Sequence, residues 1–323
     1  MRLAIGIVGC GRMARVYCRH LNRFADLYFV SGTQSSADRL DNEMHGCGTM
    51  PSLEVLLQEP AVAGVLICSP GPVRSQQIQQ VLAARRSVLV EPPICLYPQE
   101  LSLLDRVIPR SSRPFLMAAE NTVFAPVHRK IRDILHSGRL GRIRRIHFRA
   151  CRKSKRQGWR GDYAALLLDG VHPIAQILDL MQEQPVRVHP EWDVSSGQSP
   201  GREVVLSLTF ASGASACLDY SRNTSPPLRS PFQHGVIECE RGRIVLESRG
   251  RFAYVSADDR RPAVLWPDWR DPEGFVALAD AFVAALRNPQ APILTDFQRT
   301  KRDLALVFQA LASPSELYGH RSE

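Results

Sequence analysis

The chain has 323 residues, 44% hydrophobic and 23% charged, the proportions of an ordinary soluble protein. That length leaves room for two domains, since single cores stop growing near ~250–300 residues. No apolar stretch approaches the ~20 residues of a membrane span, which excludes a helical membrane protein. The net charge of +9 is local, because residues 139–160 hold ten basic side chains and no acid. The remainder carries 31 basic against 32 acidic residues and is close to neutral.

In chain order, Leu3-Ala4-Ile5-Gly6-Ile7-Val8 is an apolar run, followed at once by Gly9-Cys10-Gly11-Arg12-Met13-Ala14. Val16, Tyr17 and Leu21 then recur with helical spacing. Met1-Arg2 before so short a run fits a first strand better than a secretion signal, and a cytoplasmic protein is expected. A buried strand, a glycine turn and a helix start come in the order that a dinucleotide site needs. Gly9 allows the tight turn, Gly11 lets the backbone approach a pyrophosphate, and Ala14 keeps helix and strand close. The free N–H groups of the helix start face the phosphates. The competing reading is an ordinary tight turn with no ligand.

Strands follow at Leu27–Val30, within Ala61–Cys68, at Ser87–Val90 and at Phe115–Ala118. Helices at Val73–Ala84 and Pro98–Val107 separate them. The alternation predicts an α/β fold whose N-terminal part, residues 1–119, is a Rossmann-type doubly wound parallel sheet. After residue 120 the pattern changes. One helix (Val127–Leu135) stops at Ser137-Gly138, and strand-like runs dominate: Ile143–Ala150, Val204–Phe210, Ala214–Tyr220, Gly235–Cys239 and Arg243–Leu246. Two helical stripes close the chain, one around Phe275, Leu278, Phe282 and Leu286, one around Leu304, Val307 and Leu311. Residues 120–323 are thus expected to form an α+β domain with an open, mostly antiparallel sheet. Ser195–Gly201 reads as a loop.

The basic segment includes Arg149, Arg152, Lys153, Lys155 and Arg156. It points either to a small anion or to a solvated, arginine-rich edge strand. Nucleic acid is not expected, since no aromatic interleaving accompanies the charge. Eight scattered cysteines without a Cys-x-x-Cys pair indicate a reducing compartment and no metal site.

The second strand ends Val30-Ser31-Gly32-Thr33-Gln34-Ser35-Ser36, with no carboxylate before Asp38. A carboxylate there would hold the ribose hydroxyls of NAD and repel a 2′-phosphate. Gly32 leaves room, Thr33, Ser35 and Ser36 can donate hydrogen bonds, and Arg12 adds positive charge. These favour NADP over NAD. The alternative is that the serines only cap the next helix.

With these residues the chain resembles the glucose–fructose oxidoreductase / inositol dehydrogenase / rhizopine catabolism family, Gfo/Idh/MocA. The resemblance rests on the glycine turn, Ser69-Pro70, Glu91-Pro92-Pro93, Ala119-Glu120-Asn121 and Gly138-Arg139-Leu140-Gly141. Gly158-Trp159-Arg160-Gly161-Asp162 and Leu168-Asp169-Gly170-Val171-His172 extend it. It implies a dinucleotide domain joined to an open-sheet domain with the active site between them. Hydride would move between NAD(P) and a sugar or polyol carbon, in a homo-oligomer (dimer or tetramer). It also implies that Ser69, Pro70, Glu91 and Pro93 lie along the cofactor and that Trp159 and Arg160 reach toward it.

The chain departs from the family where chemistry is expected. The lysine of the usual Glu-Lys-Pro is Pro92, which can neither transfer a proton nor donate. An aspartate usually four residues before the histidine is replaced by Leu168, with Asp169 three before His172. The glycine-rich lead-in is Tyr163-Ala164-Ala165-Leu166, and an aromatic–Arg pair is Thr122-Val123. His172 keeps its register and can serve a forming alkoxide or amine, unless it is structural at a helix start. Asp169 either orients that imidazole or caps the helix. Tyr163 is a replacement acid or a packing tyrosine.

The sequence therefore implies an NAD(P)-dependent oxidoreductase, with NADP(H) preferred. Its substrate would be a carbonyl, hydroxyl or imine carbon of a small, sugar-like or anionic molecule. The alternative is a nucleotide-binding pseudoenzyme acting as sensor or partner subunit. Hydrolysis or elimination with a recycled coenzyme is a third reading.

Overall fold

Leu3–Val8 forms strand β1, and Ala4 to Val8 are buried because crossover helices cover both faces of a parallel sheet while neighbouring strands pair its edges. A computed structural model describes residues 3–46, 48–108, 113–151, 158–192, 203–222, 232–247, 250–258 and 260–312. Met1, Arg2, Cys47, the cations Arg152, Lys153, Lys155 and Arg156, and the loop Ser195–Gly201 lie outside the described residues.

After β1 come α1 (Arg12–Leu21), β2 (Ala25–Val30), α2 (Gln34–Met44), α3 (Leu53–Gln58) and β3 (Val62–Ile67). Then follow α4 (Gly71–Ala83), β4 (Ser87–Val90), α5 (Pro98–Val107) and β5 (Leu116–Ala118). The five strands are parallel in the order β2-β1-β3-β4-β5. The chain winds outward in both directions from the β1/β3 pair, which makes the carboxyl ends of these two strands the switch point where such sheets bind ligands. Ile5, Ile7, Leu27, Phe29, Leu66 and Val88 are fully buried. Each stabilises the unit by roughly 1.5–3 kcal/mol relative to exposure.

The second sheet has eight strands in the order β13-β12-β11-β10-β6-β9-β8-β7. It is built from β6 (Ile143–Cys151), β7 (Pro185–Trp192), β8 (Glu203–Phe210), β9 (Ser215–Ser221) and β10 (Phe232–Cys239). β11 (Gly242–Glu247), β12 (Phe252–Ala257) and β13 (Arg260–Leu265) complete it. All pairings are antiparallel except β6 with β9. Helix α6 (Pro126–His136) precedes β6, ending where Gly138 adopts φ +68°; α7 (Val171–Met181) follows it. Strand period two gives the sheet a buried face carrying Ile146, Phe148, Ala150, Leu218 and Tyr220, and an open face carrying Arg145, His147, Arg149 and Asp219.

The arginine-rich strand is not at an edge, as one sequence reading expected. β6 lies inside the sheet between β10 and β9. Its residues Ile146, Phe148 and Ala150 are apolar and buried, and Arg145 and Arg149 fall on the other face.

Two helices close the chain, α8 (Phe275–Arg287) and α9 (Phe297–Ala312). The described residues divide into one unit within 3–121 and 275–302 and another within 122–274 and 303–312. The sequence division at 119/120 does not anticipate this return. Residues 275–302 belong with the first unit because α8 covers its sheet. Phe282 packs edge-on against Phe115, Phe275 against Tyr17, and a Cβ on Gly64 would stand 3.0 Å from Phe282 and Leu286. Arg113 donates to the Ala285 carbonyl, and Thr295 Oγ1 to the Ala118 carbonyl at 2.7 Å.

Candidate functional site

At the switch point the glycine turn is built as the sequence requires. Gly9 has φ +88°, and a Cβ there would lie 2.5 Å from the Ser69 backbone nitrogen, so no other residue fits. Gly11 is the N-cap of α1 and offers no side-chain cap, and α1 has no acid in its first turn. A Cβ on Gly11 would meet nothing within 4 Å. This is open volume in front of the unsatisfied first-turn N–H groups of Arg12, Met13 and Ala14. Arg12 is exposed, Met13 half-buried and Ala14 buried. The turn therefore fits a dinucleotide pyrophosphate: an uncapped helix start, no acid, and space where a side chain would otherwise stand.

Beyond β2, Gly32 is also open. Thr33 is the N-cap of α2, but its side chain makes no cap bond and its Oγ1 donates to Ser36 Oγ at 2.7 Å. Ser35 is exposed and Ser36 half-buried. The first acid, Asp38, accepts from Gln34 Nε2 at 2.8 Å.

The ends of β3 and β4 are tied by a residue the sequence reading did not single out. Arg74, on α4, is 3% exposed. Its Nε donates to the Ser69 carbonyl at 2.8 Å, and its Nη1 to the carbonyls of Glu91 and Pro93, both at 3.0 Å. Through three carbonyls, one guanidinium thus fixes two of the segments expected along the cofactor. Ser69 is buried and its Oγ donates to Gln77, while Pro70 is exposed at the start of α4. Glu91 is buried, its N–H donating to the Ile67 carbonyl at 3.0 Å; Pro92 is half-buried and Pro93 buried, with a cis bond between them. Burial first, then the charge of Glu91, pushes the Tyr17 phenol well above its ordinary value, and its hydroxyl donates to the Ala119 carbonyl at 3.3 Å.

In the second unit a π turn, Leu166–Gly170, runs straight into α7. Such turns recur at functional positions because they shift the helical register. Asp169 lies inside this turn, so it does not precede and cap α7, whose N-cap is Gly170 with no side-chain bond. Its Oδ2 instead accepts from Arg222, at 2.8 Å from Nε and also from Nη2, with both side chains buried. Arg222 directly follows β9 with the parity of its buried face. His172 is half-buried, one turn from Asp169. One further turn on, buried Gln176 Oε1 accepts from Gln233 Nε2 at 2.7 Å. Asp169, His172 and Gln176 therefore share one helical face. Tyr163 is half-buried with its ring edge-on to Trp159, centroids 6.1 Å apart, and the exposed Arg160 guanidinium sits 5.2 Å over the Trp159 ring.

The described part of the basic segment is not an isolated cationic patch. Arg149 pairs with Asp219 at 3.5 Å and Arg142 Nε with Glu240 at 2.9 Å. Arg142 donors hold the Glu240 carboxyl below its usual range. A cavity of about 230 Å³ on the open face collects Arg149 with Glu191, Glu203 and Asp219, so carboxylates outnumber the cation. Arg149 thus faces away from the face that packs under α7, which removes it as an anion anchor beside His172.

Among the described residues, no helix is long and apolar enough to cross a membrane. Residues 3–118 match the model of the oxidoreductase family with an NAD-binding Rossmann fold, and residues 128–245 match the GFO/IDH/MocA C-terminal domain. A curated relative, myo-inositol 2-dehydrogenase of Thermotoga maritima, is 23% identical over 232 residues, covering 68% of this chain and 69% of its own. Among solved structures, KijD10, a 3-ketoreductase from Actinomadura kijaniata in complex with NADP, superposes with TM-score 0.79 at 19% identity, covering 96% of this chain and 97% of its own. GenD2 from gentamicin A biosynthesis, in complex with NAD, has TM-score 0.79 at 18% identity, covering 97% and 95%.

Proposed function

We propose, for a chain that belongs to the Gfo/Idh/MocA oxidoreductase family, the reversible oxidation of a hydroxyl carbon in a small sugar-like substrate, with NADP(H) as coenzyme. The observation that carries the reading is the glycine turn, open in front of an uncapped, acid-free helix start. Bound there, the coenzyme supplies hydride exchange at its nicotinamide C4. Gly9, Gly11, Arg12, Met13 and Ala14 hold the pyrophosphate. Ser69, Pro70, Glu91 and Pro93, fixed by Arg74, shape the nicotinamide end. Thr33, Ser35, Ser36 and Arg12 take a 2′-phosphate, with no acid between residues 31 and 37 to repel it; NAD is the alternative. Two of the neighbours carry one coenzyme each, NADP and NAD.

His172 carries the proton to or from the substrate oxygen, since an imidazole nitrogen can both accept and donate one. Asp169, with its charge balanced by Arg222, positions the start of α7 and is not the base. Tyr163 is a packing residue against Trp159, and Trp159 with Arg160 borders the cofactor, as the family resemblance implies. The protein acts on a small molecule in the cytoplasm as a homo-oligomer joined through its open sheet face. Pro92 supports a second reading, a pseudoenzyme, because proline offers no proton where the resemblance places a lysine.

Fluorescence titration with NADPH and NADH, then turnover of a panel of polyols, keto-sugars and imines, tests both readings. NADPH binding tighter than NADH, and turnover lost in His172→Ala, are expected. Tight binding with no turnover on any substrate supports the pseudoenzyme; no binding of either coenzyme overturns both.

A further inference from the structure

The buried face beneath α7 carries a charge arrangement that bears on the substrate. Arg222 is 5% exposed, and its Nε and Nη2 are committed to Asp169. Its third nitrogen, Nη1, is buried and has no hydrogen-bond partner. Leaving such a donor unmet costs about 1–3 kcal/mol, more for a charged group, so a buried orphan on a guanidinium calls for an acceptor. The same helical face continues with His172 and with Gln176, itself bonded to Gln233. The row Asp169, His172, Gln176 is rich in hydrogen-bonding capacity, and its one ion pair is neutralised internally.

That neutrality separates two substrate classes. An incoming carboxylate would meet a guanidinium already balanced by Asp169. It would give up its hydration, several kcal/mol in a buried setting, against little residual attraction. A hydroxyl oxygen accepts from Nη1 without burying a new charge. We propose that the Arg222–Asp169 pair recognises an uncharged hydroxyl of a polyol or sugar and discriminates against the corresponding acids. This deepens, and rests on, the sugar-like substrate reading above.

The test uses D-glucose and myo-inositol as neutral probes and D-gluconate and D-glucuronate as charged ones. Binding is read by saturation-transfer NMR on the full chain with and without NADPH. Neutral probes are expected to bind at least about 10-fold more tightly than the acids. Arg222→Lys keeps a cation beside Asp169 but loses the planar second donor. It is expected to weaken neutral probes about 10-fold or more, with NADPH affinity unchanged and probe binding compared at a temperature where the variant remains folded. Asp169→Asn uncovers the guanidinium charge and is expected to turn the preference toward the acids. Tighter binding of the acids by the unmodified protein, wild-type affinity in Arg222→Lys, an unshifted preference in Asp169→Asn, or no binding of either neutral probe would each overturn the proposal. Failure of NADPH to bind is a separate result and strikes the proposed coenzyme, since sugar binding is also read without it.

Discussion

Removing the Arg74 guanidinium should damage both the stability of the first unit and its grip on the coenzyme. Arg74→Met keeps most of the aliphatic stem but loses three bonds, to Ser69, Glu91 and Pro93. Hydrogen bonds from a charged donor contribute about 1.5–3 kcal/mol each, and three buried carbonyls lose a donor. Against this stands the relieved cost of keeping a cation 3% exposed, several kcal/mol. The net expected loss is about 3–5 kcal/mol, in line with breaking other buried charged networks. For a unit of this size it corresponds to a melting temperature lower by about 6–20 °C. Arg74→Lys supplies a compact ammonium that cannot span three carbonyls in one plane, so it should fall between. Differential scanning calorimetry reads the first effect. Titration with NADPH at a temperature where the variant remains folded reads the second, a weaker Kd from a loosened Glu91–Pro93 segment. A melting temperature within about 2 °C of the unmodified chain, or unchanged NADPH affinity in a destabilised variant, would refute the clamp.

The two turn glycines should part company. Gly11→Ala enters open space and should change stability by under about 1 kcal/mol while weakening NADPH at least ~10-fold; Gly9→Ala, at φ +88° and 2.5 Å from backbone, should cost about 2 kcal/mol or more before any ligand is added. Equal effects of the two on denaturation midpoints would contradict this. Burial pushes the Cys10 thiol up to about 11, with the Ser31 hydroxyl pulling the other way. At pH 8 it is then ~0.1% thiolate, and alkylation by iodoacetamide should run on the order of 100-fold slower than in the unfolded chain, recovering as pH rises toward 11. Mass-spectrometric labelling at a rate equal to the denatured control would count against it. Pro92→Lys supplies an amine where the family resemblance places one and should raise turnover of polyols with NADP; a rise in coenzyme affinity without turnover would show that the lysine position is not what limits the chemistry.

Residues close in the chain made some of the molecule readable from its sequence, and long-range pairing hid the rest. The glycine turn was legible because φ +88° at Gly9 and the open side of Gly11 are demands on single positions, answered by residue type. The parallel sheet was legible because buried strands and amphipathic helices alternate at their own periods. Strands β7, β12 and β13 were not. β7 and β13 are edge strands containing prolines, Pro185 and Pro190 in one and Pro262 in the other, and proline is tolerated only where a ladder bond is not needed. Helix α9 starts at buried Phe297, seven residues before Leu304 of its apolar stripe; Asp296 Oδ1 accepts from the Arg299 N–H at 2.8 Å, and residues 298–303 between them are polar.

The least legible residues are the two buried arginines. Arg74 meets partners 17 and 19 positions away and Arg222 one 53 positions away. No local pattern separates either from the solvated cations of β6, which drew notice only by density. Charge density marked ten cations between residues 139 and 160, and the described ones that find acids on the open sheet face leave little excess there. The isolated arginines, each costly to bury, sit where loops and helix ends converge on the expected chemistry. A buried cation persists only if its surroundings repay its lost hydration. In this chain that repayment comes from the carbonyls of Ser69, Glu91 and Pro93 in one unit and from Asp169 in the other. The cost of burying each arginine therefore marks the segments proposed for cofactor and substrate more sharply than the charge pattern along the sequence does.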